Sequence, residues 1–402
     1  MPSINVRFPA THGHALAARL ELPAGEPRAY AIFAHCFTCS KDSKGAVYIG
    51  QALAARGIGV LRFDFTGLGQ SGGTFAESTF SSNVEDIVCA ANFLRERYAA
   101  PEILIGHSLG GAAILAAAGR IAEARAVATL GAPFEPSHVE HLLKNREELA
   151  TKGEATVDIG GRPFQIRREF LDDLRRHDPA KNIAALGKAL LVLHSPQDTV
   201  VTIDNASKIF LAAKHPKSFV SLDRIDHLVT KQDDAAYVGE VVAAWASRYL
   251  PPAPEQEPVP GVRVIEAGQG SKFAQEIYAG RHRLRADEPA SAGGTDTGPN
   301  PYDLLAAALG ACTAMTVRMY AERKQIPLAR VSVDLKHGKV HAADCESCET
   351  REGKIDRIDR VVTLEGDLDD AQRAKLLEIA DKCPVHRTLH SEVWINTTAN
   401  QS

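Results

Sequence analysis

The sequence predicts an α/β protein: a doubly wound, mostly parallel sheet, followed by a smaller α+β domain. Three observations carry that class. Short apolar runs alternate with alanine-rich amphipathic stretches over residues 1–250, the pattern of buried parallel strands joined by crossover helices. The stretch LPPAPEQEPVPGV, 250–262, holds five prolines and no apolar periodicity. Proline fixes φ and removes an amide donor, so this reads as a semi-rigid spacer. Beyond it, two helices with apolar faces accompany strand-like runs. A chain of 402 residues has room for two or three separate cores, and the expected division is 1–250, a linker at 251–261, and 262–398.

The strands of the first part are AIFAHC (31–36), GVLRFD (59–64), EILIGH (102–107), VATLGAP (127–133), ALLVLHS (189–195) and SFVSLDRI (218–225). VYIGQALAARG and SSNVEDIVCAANFLRERY supply helices between them. Residues 134–182 are polar and break the rhythm; a small lid and a solvated helical excursion are the two readings. After the linker, FAQEIYAG and HRLRADE read as paired strands. VSVDLK and RVVTLEGDL add more, between the helices GPNPYDLLAAALGACTAMTVRMYAER and DDAQRAKLLEIADKC.

Composition narrows the function classes. Hydrophobic residues make up 45% and charged residues 24%, and the formal net charge is −4. Nothing there favours nucleic acid or an anionic membrane as partner. The opening MPSINVRFPATHG lacks the apolar core of a secretory signal, and no apolar run approaches a membrane span, so a cytoplasmic protein is expected. Seven cysteines, an odd number, favour reduced thiols over a disulfide framework.

IGHSLGG carries the first chemistry. Gly106-His107-Ser108-Leu109-Gly110 follows a strand and opens a helix, and its glycines permit the sharp turn that lifts Ser108 clear of the sheet. A serine nucleophile needs a base and an orienting acid, in the chain order Ser, Asp, His for this architecture. Asp198 sits at the end of ALLVLHS, with Asp204 and Asp226 as competitors. His227 lies past the last strand, and His215 precedes it. The oxyanion hole would use the Leu109 N–H and an amide from HCFTCSKD, with Phe37 the candidate and Cys36 or Thr38 alternatives. Cys36 and Cys39 form a C-x-x-C, but a redox or zinc reading lacks a helix to cap or a second ligand pair. GLGQSG, 67–72, mimics a dinucleotide motif without the helix that motif needs, and reads as a rim turn. These residues resemble the α/β-hydrolase family, in its small esterase and dienelactone-hydrolase-like branch. The resemblance implies a small acyl substrate and no cofactor.

In the second part, Asn300 can cap and Pro301 can begin a long helix. Leu305, Leu309, Cys312, Met315 or Thr316, and Met319 share a stripe expected to be buried. Leu376, Ile379 or Ala380, and Cys383 share another, and Pro384 is expected to end that helix. The two cysteine helices resemble the OsmC/Ohr family over 262–398, so the whole chain resembles bifunctional α/β-hydrolase/OsmC fusions. The resemblance implies a peroxidatic Cys312, a resolving Cys383, an organic hydroperoxide substrate, a dithiol reductant and a homodimer formed through this domain. Two departures weigh against peroxidase activity. Tyr302 stands where the family has a glutamate, with Asp303 beside it, and only Lys272, Arg281 and Arg283 are near the expected arginine. A non-catalytic dimerising or ligand-binding module is the alternative. His341, Cys345 and Cys348 form H-x3-C-x2-C, a candidate metal site short of a fourth ligand.

Overall fold

The computed structural model describes all residues except 1–2, 24–25, 37–38, 143–148, 150, 160–161, 252–258, 268–271, 342–352 and 400–402. The contacts divide the chain into two units, Met1–Arg283 and Leu284–Ser402, each described by itself.

An antiparallel hairpin of β1 (Ser3–Pro9) and β2 (Ala15–Glu21) opens the first unit. The sequence reading passed over both strands: ALAARLE has helix-forming residues, and sheet pairing overrides that preference. Next come β3 (Ala29–Ala34), α1 (Lys44–Ala55), β4 (Ile58–Phe63), α2 (Phe80–Arg97), β5 (Pro101–His107), α3 (Leu109–Ala117) and β6 (Ala126–Leu130). An insertion follows, containing the hairpin β7 (Glu154–Ile159) and β8 (Arg162–Arg167), α4 (Arg168–Leu174) and α5 (Pro179–Ala184). The unit continues with β9 (Ala189–His194), α6 (Asp204–Ala212), β10 (Lys217–Ser221) and α7 (Gln232–Ala246).

Eight strands form one sheet in the order β1-β2-β4-β3-β5-β6-β9-β10. From β4 to β10 every neighbour is parallel. The six strands expected from sequence all lie in that parallel part. Period-two alternation sends Ile32 and Leu104 to one face, where Ile87 of α2 and Ile114 of α3 pack. Phe33 and Ile103 go to the other, against Ile49 and Leu53 of α1 and Val238 of α7. A parallel sheet covered on both faces puts its crevice at the carboxyl ends of the strands. The chain turns that follow β3, β5, β9 and β10 therefore gather there.

The insertion is a β-hairpin with two short helices. Val139, Leu149, Ile166 and Phe170 anchor it in the core, and the Phe164 ring meets Phe75 at 4.9 Å. After the first sheet come β11 (Val259–Glu266), β12 (Gln275–Gly280) and β13 (His282–Ala286), ordered as a second sheet. The boundary between the units falls within β13.

The second unit contains α8 (Pro301–Arg323), the long hairpin β14 (Leu328–His341) and β15 (Lys354–Gly366), α9 (Asp370–Ala380) and α10 (Pro384–Leu389). Asn300 caps α8 by accepting the Asp303 N–H at 3.0 Å, with Pro301 in the first turn. Val317, Ala321, Leu328, Leu364, Leu376 and Ala380 form its core.

Three expectations are corrected here. The buried face of α8 carries Leu309, Gly310, Thr313, Val317 and Ala321, whereas Leu305, Met315 and Met319 are exposed and Cys312 is half-buried. The helix is apolar nearly all round, so a hydrophobic stripe alone does not identify its packed side. Cys383 caps α10 and Pro384 begins that helix, so the proline starts an element as well as following one. Finally, α8 is long and apolar enough to cross a membrane by length and composition, with a mean hydropathy of 1.4.

Candidate functional site

Ser108 stands between β5 and α3 with φ 55° and ψ −127°, a strained backbone that non-glycine residues rarely adopt. Its own N–H donates to Leu130 O at 2.8 Å, which ties the turn to β6. A Cβ on Gly106 would strike the Gly110 and Gly111 backbone, and one on Gly110 would strike the carbonyls of Ala34 and His35. Both glycines are therefore required by close approach as the chain doubles back.

The turn after β10 brings His227 to this elbow, and the turn after β9 brings Asp198. Ser108 Oγ lies 3.1 Å from His227 Nε2, and His227 Nδ1 lies 2.6 Å from Asp198 Oδ2. A carboxylate can only accept, so Nδ1 carries the hydrogen and leaves Nε2 to accept from the serine hydroxyl. The other carboxylate oxygen of Asp198 accepts the Val200 and Val201 N–H groups, each at 2.9 Å. Burial alone would raise this carboxyl; the His227 hydrogen bond and the two amides outweigh it and hold the pKa below the usual range. The competing acids are elsewhere: Asp226 caps its own turn through Leu228 and Thr230, and Asp204 opens α6. His215 is exposed, ahead of β10.

Two buried histidines brace this arrangement, and the sequence reading missed both roles. His107 Nε2–H donates to the His227 carbonyl at 2.7 Å. Burial first, then the neighbouring His227, pushes its pKa down to about 3, so it is neutral. His194 Nε2–H donates to Val201 O at 2.7 Å, anchoring the residue whose N–H Asp198 accepts. The signal was available in part, since GHS and LHS place a histidine at each strand end.

Leu109 is buried at the start of α3; Phe37 and Thr38 lie outside the described residues. Around them, the loop after β3 is fastened at both sides. His35 Nδ1–H donates to Cys36 O at 2.8 Å while Nε2 accepts the Phe65 N–H at 3.4 Å, the pattern of a neutral ring that burial keeps neutral. Lys41 gives its N–H to Asp64 Oδ1 at 2.6 Å and its Nζ to Oδ2 at 3.1 Å. The Gln70 N–H also reaches Asp64 at 2.9 Å, so GLGQSG folds as a turn onto that carboxylate. Cys36 and Cys39 are joined as a disulfide, with Cα atoms 5.3 Å apart and the Cys39 N–H donating to Cys36 O at 3.1 Å. This differs from the expected reduced thiols: the two Cα atoms lie within bridging range. A small cavity of about 10 Å³ lies beside the elbow, lined by Cys36, Phe65, Leu68, Phe75 and Leu109 with His35 and Asn83.

In the second unit, Cys312 and Cys383 are free thiols, and both sulfurs lie at the start of α10. Cys312 Sγ accepts the Val385 N–H at 3.5 Å and Cys383 Sγ the His386 N–H at 3.4 Å. The buried Thr313 hydroxyl is 3.6 Å from Cys383 Sγ, and Arg360 donates to that hydroxyl at 3.0 Å. Tyr302 stacks on His337 at 4.1 Å, and the Asp303 carboxylate accepts the Asn300 N–H, so neither supplies the glutamate of the family pattern.

The serine aminopeptidase S33 family model matches residues 25–179, and the OsmC-like protein model matches residues 294–398. The chain is an α/β-hydrolase joined to an OsmC-like domain. The esterase domain of a Rhodothermus marinus protein is 50% identical, with TM-score 0.54, and the match covers 62% of this chain and all of that one. Alpha/beta hydrolase domain-containing protein 10 from mouse shares the fold at 21% identity and TM-score 0.52, over 61% of this chain and 99% of that one. The curated palmitoyl-protein thioesterase ABHD10 of Mus musculus is 24% identical over 210 residues, 50% of this chain and 67% of that protein. Uncharacterized protein YfhR of Salmonella typhimurium is 26% identical over 180 residues, 44% of this chain; the match spans 57% of that relative's length.

The remaining cysteines of the OsmC-like domain, Cys345 and Cys348, lie outside the described residues. His341 ends β14 and is exposed. Among the described residues no three His, Cys, Asp or Glu side chains group as metal ligands. Lys272 and Arg281 are exposed, and Arg283 pairs with Glu276. The guanidinium beside the thiols is Arg360, which sequence reading missed because the proximity comes from strand packing and from no local motif.

Proposed function

We propose that the α/β-hydrolase domain is a serine hydrolase of small esters or related acyl compounds. The observation that carries this reading is the hydrogen-bonded series Ser108 Oγ, His227 Nε2, His227 Nδ1, Asp198. His227 takes the serine proton as Oγ attacks the acyl carbon, and Asp198 stabilises the resulting imidazolium. The tetrahedral oxyanion is held by the Leu109 N–H and an amide of the loop after β3, with Phe37 N–H the candidate. His227 then protonates the leaving alcohol, and water repeats the sequence on the acyl-enzyme. The Rhodothermus marinus relative, described as an esterase domain, supports oxygen esters; the mouse relative's name, a thioesterase, adds acyl thioesters as the neighbouring class.

The OsmC-like domain, in the same proposal, reduces organic hydroperoxides through Cys312 and Cys383, with a cytoplasmic dithiol returning the pair to thiols. The pair's free state and the placement of both sulfurs at the start of α10 support it. Exposed Leu305, Met315, Met319 and Trp394 support a homodimer formed through this domain, which is also the route by which a non-catalytic module would act. One panel tests the whole: p-nitrophenyl esters from acetate to octanoate, and cumene hydroperoxide with dithiothreitol, on the full chain. Short esters turning over fastest and hydroperoxide consumed catalytically are the expected results. Ester turnover without hydroperoxide consumption leaves the second domain as a scaffold.

A further inference from the structure

We propose that Thr313 and Arg360 are positioning residues that hold the Cys383 sulfur in place as the waiting nucleophile for an oxidised Cys312. The inference builds on the peroxidase reading and adds a device that acts on the second thiol of the pair.

Cys312 and Thr313 are neighbours on α8, so their side chains diverge by about 100° around the helix. Thr313 points inward and is fully buried; Cys312 is half-buried. Cys383, at the start of α10, is also fully buried, and two hydrogen-bonding groups converge on its sulfur. These are the His386 N–H at 3.4 Å and the Thr313 hydroxyl at 3.6 Å. Arg360, on β15, fixes the hydroxyl's direction. Its Nη1 donates to Thr313 Oγ1 at 3.0 Å and to Ala380 O at 3.2 Å, and its Nη2 meets Asp381 Oδ1 at 2.5 Å.

A hydroxyl has one hydrogen to give. With its oxygen accepting from Arg360, Thr313 donates either to Leu309 O at 2.8 Å or to Cys383 Sγ. An anionic sulfur is the stronger acceptor, so ionisation of Cys383 turns the hydroxyl to it. The balance of forces is then explicit. Burial raises the thiol pKa; the Thr313 hydroxyl, the His386 N–H, Cys312 and the Arg360 charge together bring it below the ordinary value. His386 does not compete as a cation, because burial and Arg360 keep its ring neutral. Asp381 tempers the guanidinium without contacting the sulfur.

The chemistry follows in balanced steps. Half-buried Cys312, as its thiolate, attacks the terminal oxygen of an organic hydroperoxide; the O–O bond breaks, the departing alkoxide takes a proton to give an alcohol, and Cys312 becomes a sulfenic acid. Cys383 thiolate attacks that sulfur, the S–O bond breaks, and the departing hydroxide takes a proton to give water. The disulfide returns to two thiols by exchange with an external dithiol, which is itself oxidised. The resolving step needs a thiolate in place, and Thr313 and Arg360 provide it.

The test separates the device from the activity. Thiolate absorbance near 240 nm is titrated on the full chain, wild type minus Cys383→Ser, with no peroxide present. The wild-type midpoint is expected below that of an ordinary cysteine, about 8.5. Thr313→Val and Arg360→Gln should each raise it by about one unit, while Thr313→Ser and Arg360→Lys, which keep a hydroxyl and a charge, should stay near wild type. With cumene hydroperoxide and dimedone, Cys312 sulfenic acid should be trapped more in Thr313→Val and Arg360→Gln than in wild type. A midpoint at or above the ordinary value, or one that both variants leave unmoved, overturns the proposal. Cys312 untouched by hydroperoxide, with the titration as expected, instead overturns the peroxidase reading alone. Far-UV circular dichroism on each variant separates misfolding from a changed midpoint.

Discussion

The two sites of this chain hold their reactive groups by different means. At Ser108, backbone atoms do most of the holding: two amides fix Asp198, two buried histidines fix the carbonyls around His227 and Asp198, and glycine contacts fix the elbow. At Cys312 and Cys383, one backbone amide meets each sulfur, and side chains add the rest: a threonine hydroxyl reaches the second sulfur from a neighbouring helix, and a guanidinium on a strand holds that hydroxyl. A site built on backbone geometry leaves short-range marks in sequence, because each turn needs particular residues at fixed offsets. A site built on side chains from distant elements leaves few.

The largest way to break this contrast is to remove the acid. Asp198→Asn should lower kcat for a short p-nitrophenyl ester by about 10⁴-fold, since the imidazole loses both its orientation and its counter-charge. Asp204→Asn and Asp226→Asn should stay within about threefold. If Asp226→Asn proved the crippling change, the acid would be misassigned and the amide cradle around Asp198 would be merely structural.

A smaller effect is expected one layer out. His107→Phe keeps the ring shape but leaves the His227 carbonyl without its donor, a loss of about 1–3 kcal/mol for a buried group. Spread between stability and positioning, this should lower kcat about tenfold with KM little changed. Wild-type kcat in a folded His107→Phe would show that packing alone holds the His227 turn.

The smallest effect is on stability against pH. Asp198 has a folded pKa below its unfolded one, so its contribution is present above the ordinary carboxylate range, about 3.9, and is lost as pH falls through the depressed folded value. The difference in melting temperature between wild type and Asp198→Asn should therefore be larger at pH 7 than at pH 3. A difference that grows on acidification would reverse the sign and remove the hydrogen-bonded carboxylate from the account.

The same contrast explains what the sequence revealed. Six parallel strands were legible because each is a short apolar run, all but the edge strand β10 buried on both faces, and the Ser108 elbow because its glycines flank the serine at fixed offsets. The β1–β2 hairpin and the β7–β8 hairpin were not, since their residues alternate or favour helix until sheet partners arrive. The face of α8 was misjudged because a helix apolar on most sides presents several equal stripes, and packing with β14 and α9 decides among them. Thr313 and Arg360 carry no motif, and their meeting with Cys383 depends on β15 lying beside the start of α10. The Cys36–Cys39 disulfide was not legible either, because it depends on how close the two Cα atoms come.

One measurement bears most directly on the central claim, that Ser108 is an activated nucleophile. The full chain is treated with a fluorophosphonate probe, digested and mapped by mass spectrometry while ester turnover is followed. The account predicts a single stoichiometric adduct on Ser108, with ester hydrolysis falling in step with its formation, and no labelling in Ser108→Ala. Stoichiometric labelling of another residue, or ester turnover undiminished in Ser108→Ala, would contradict it.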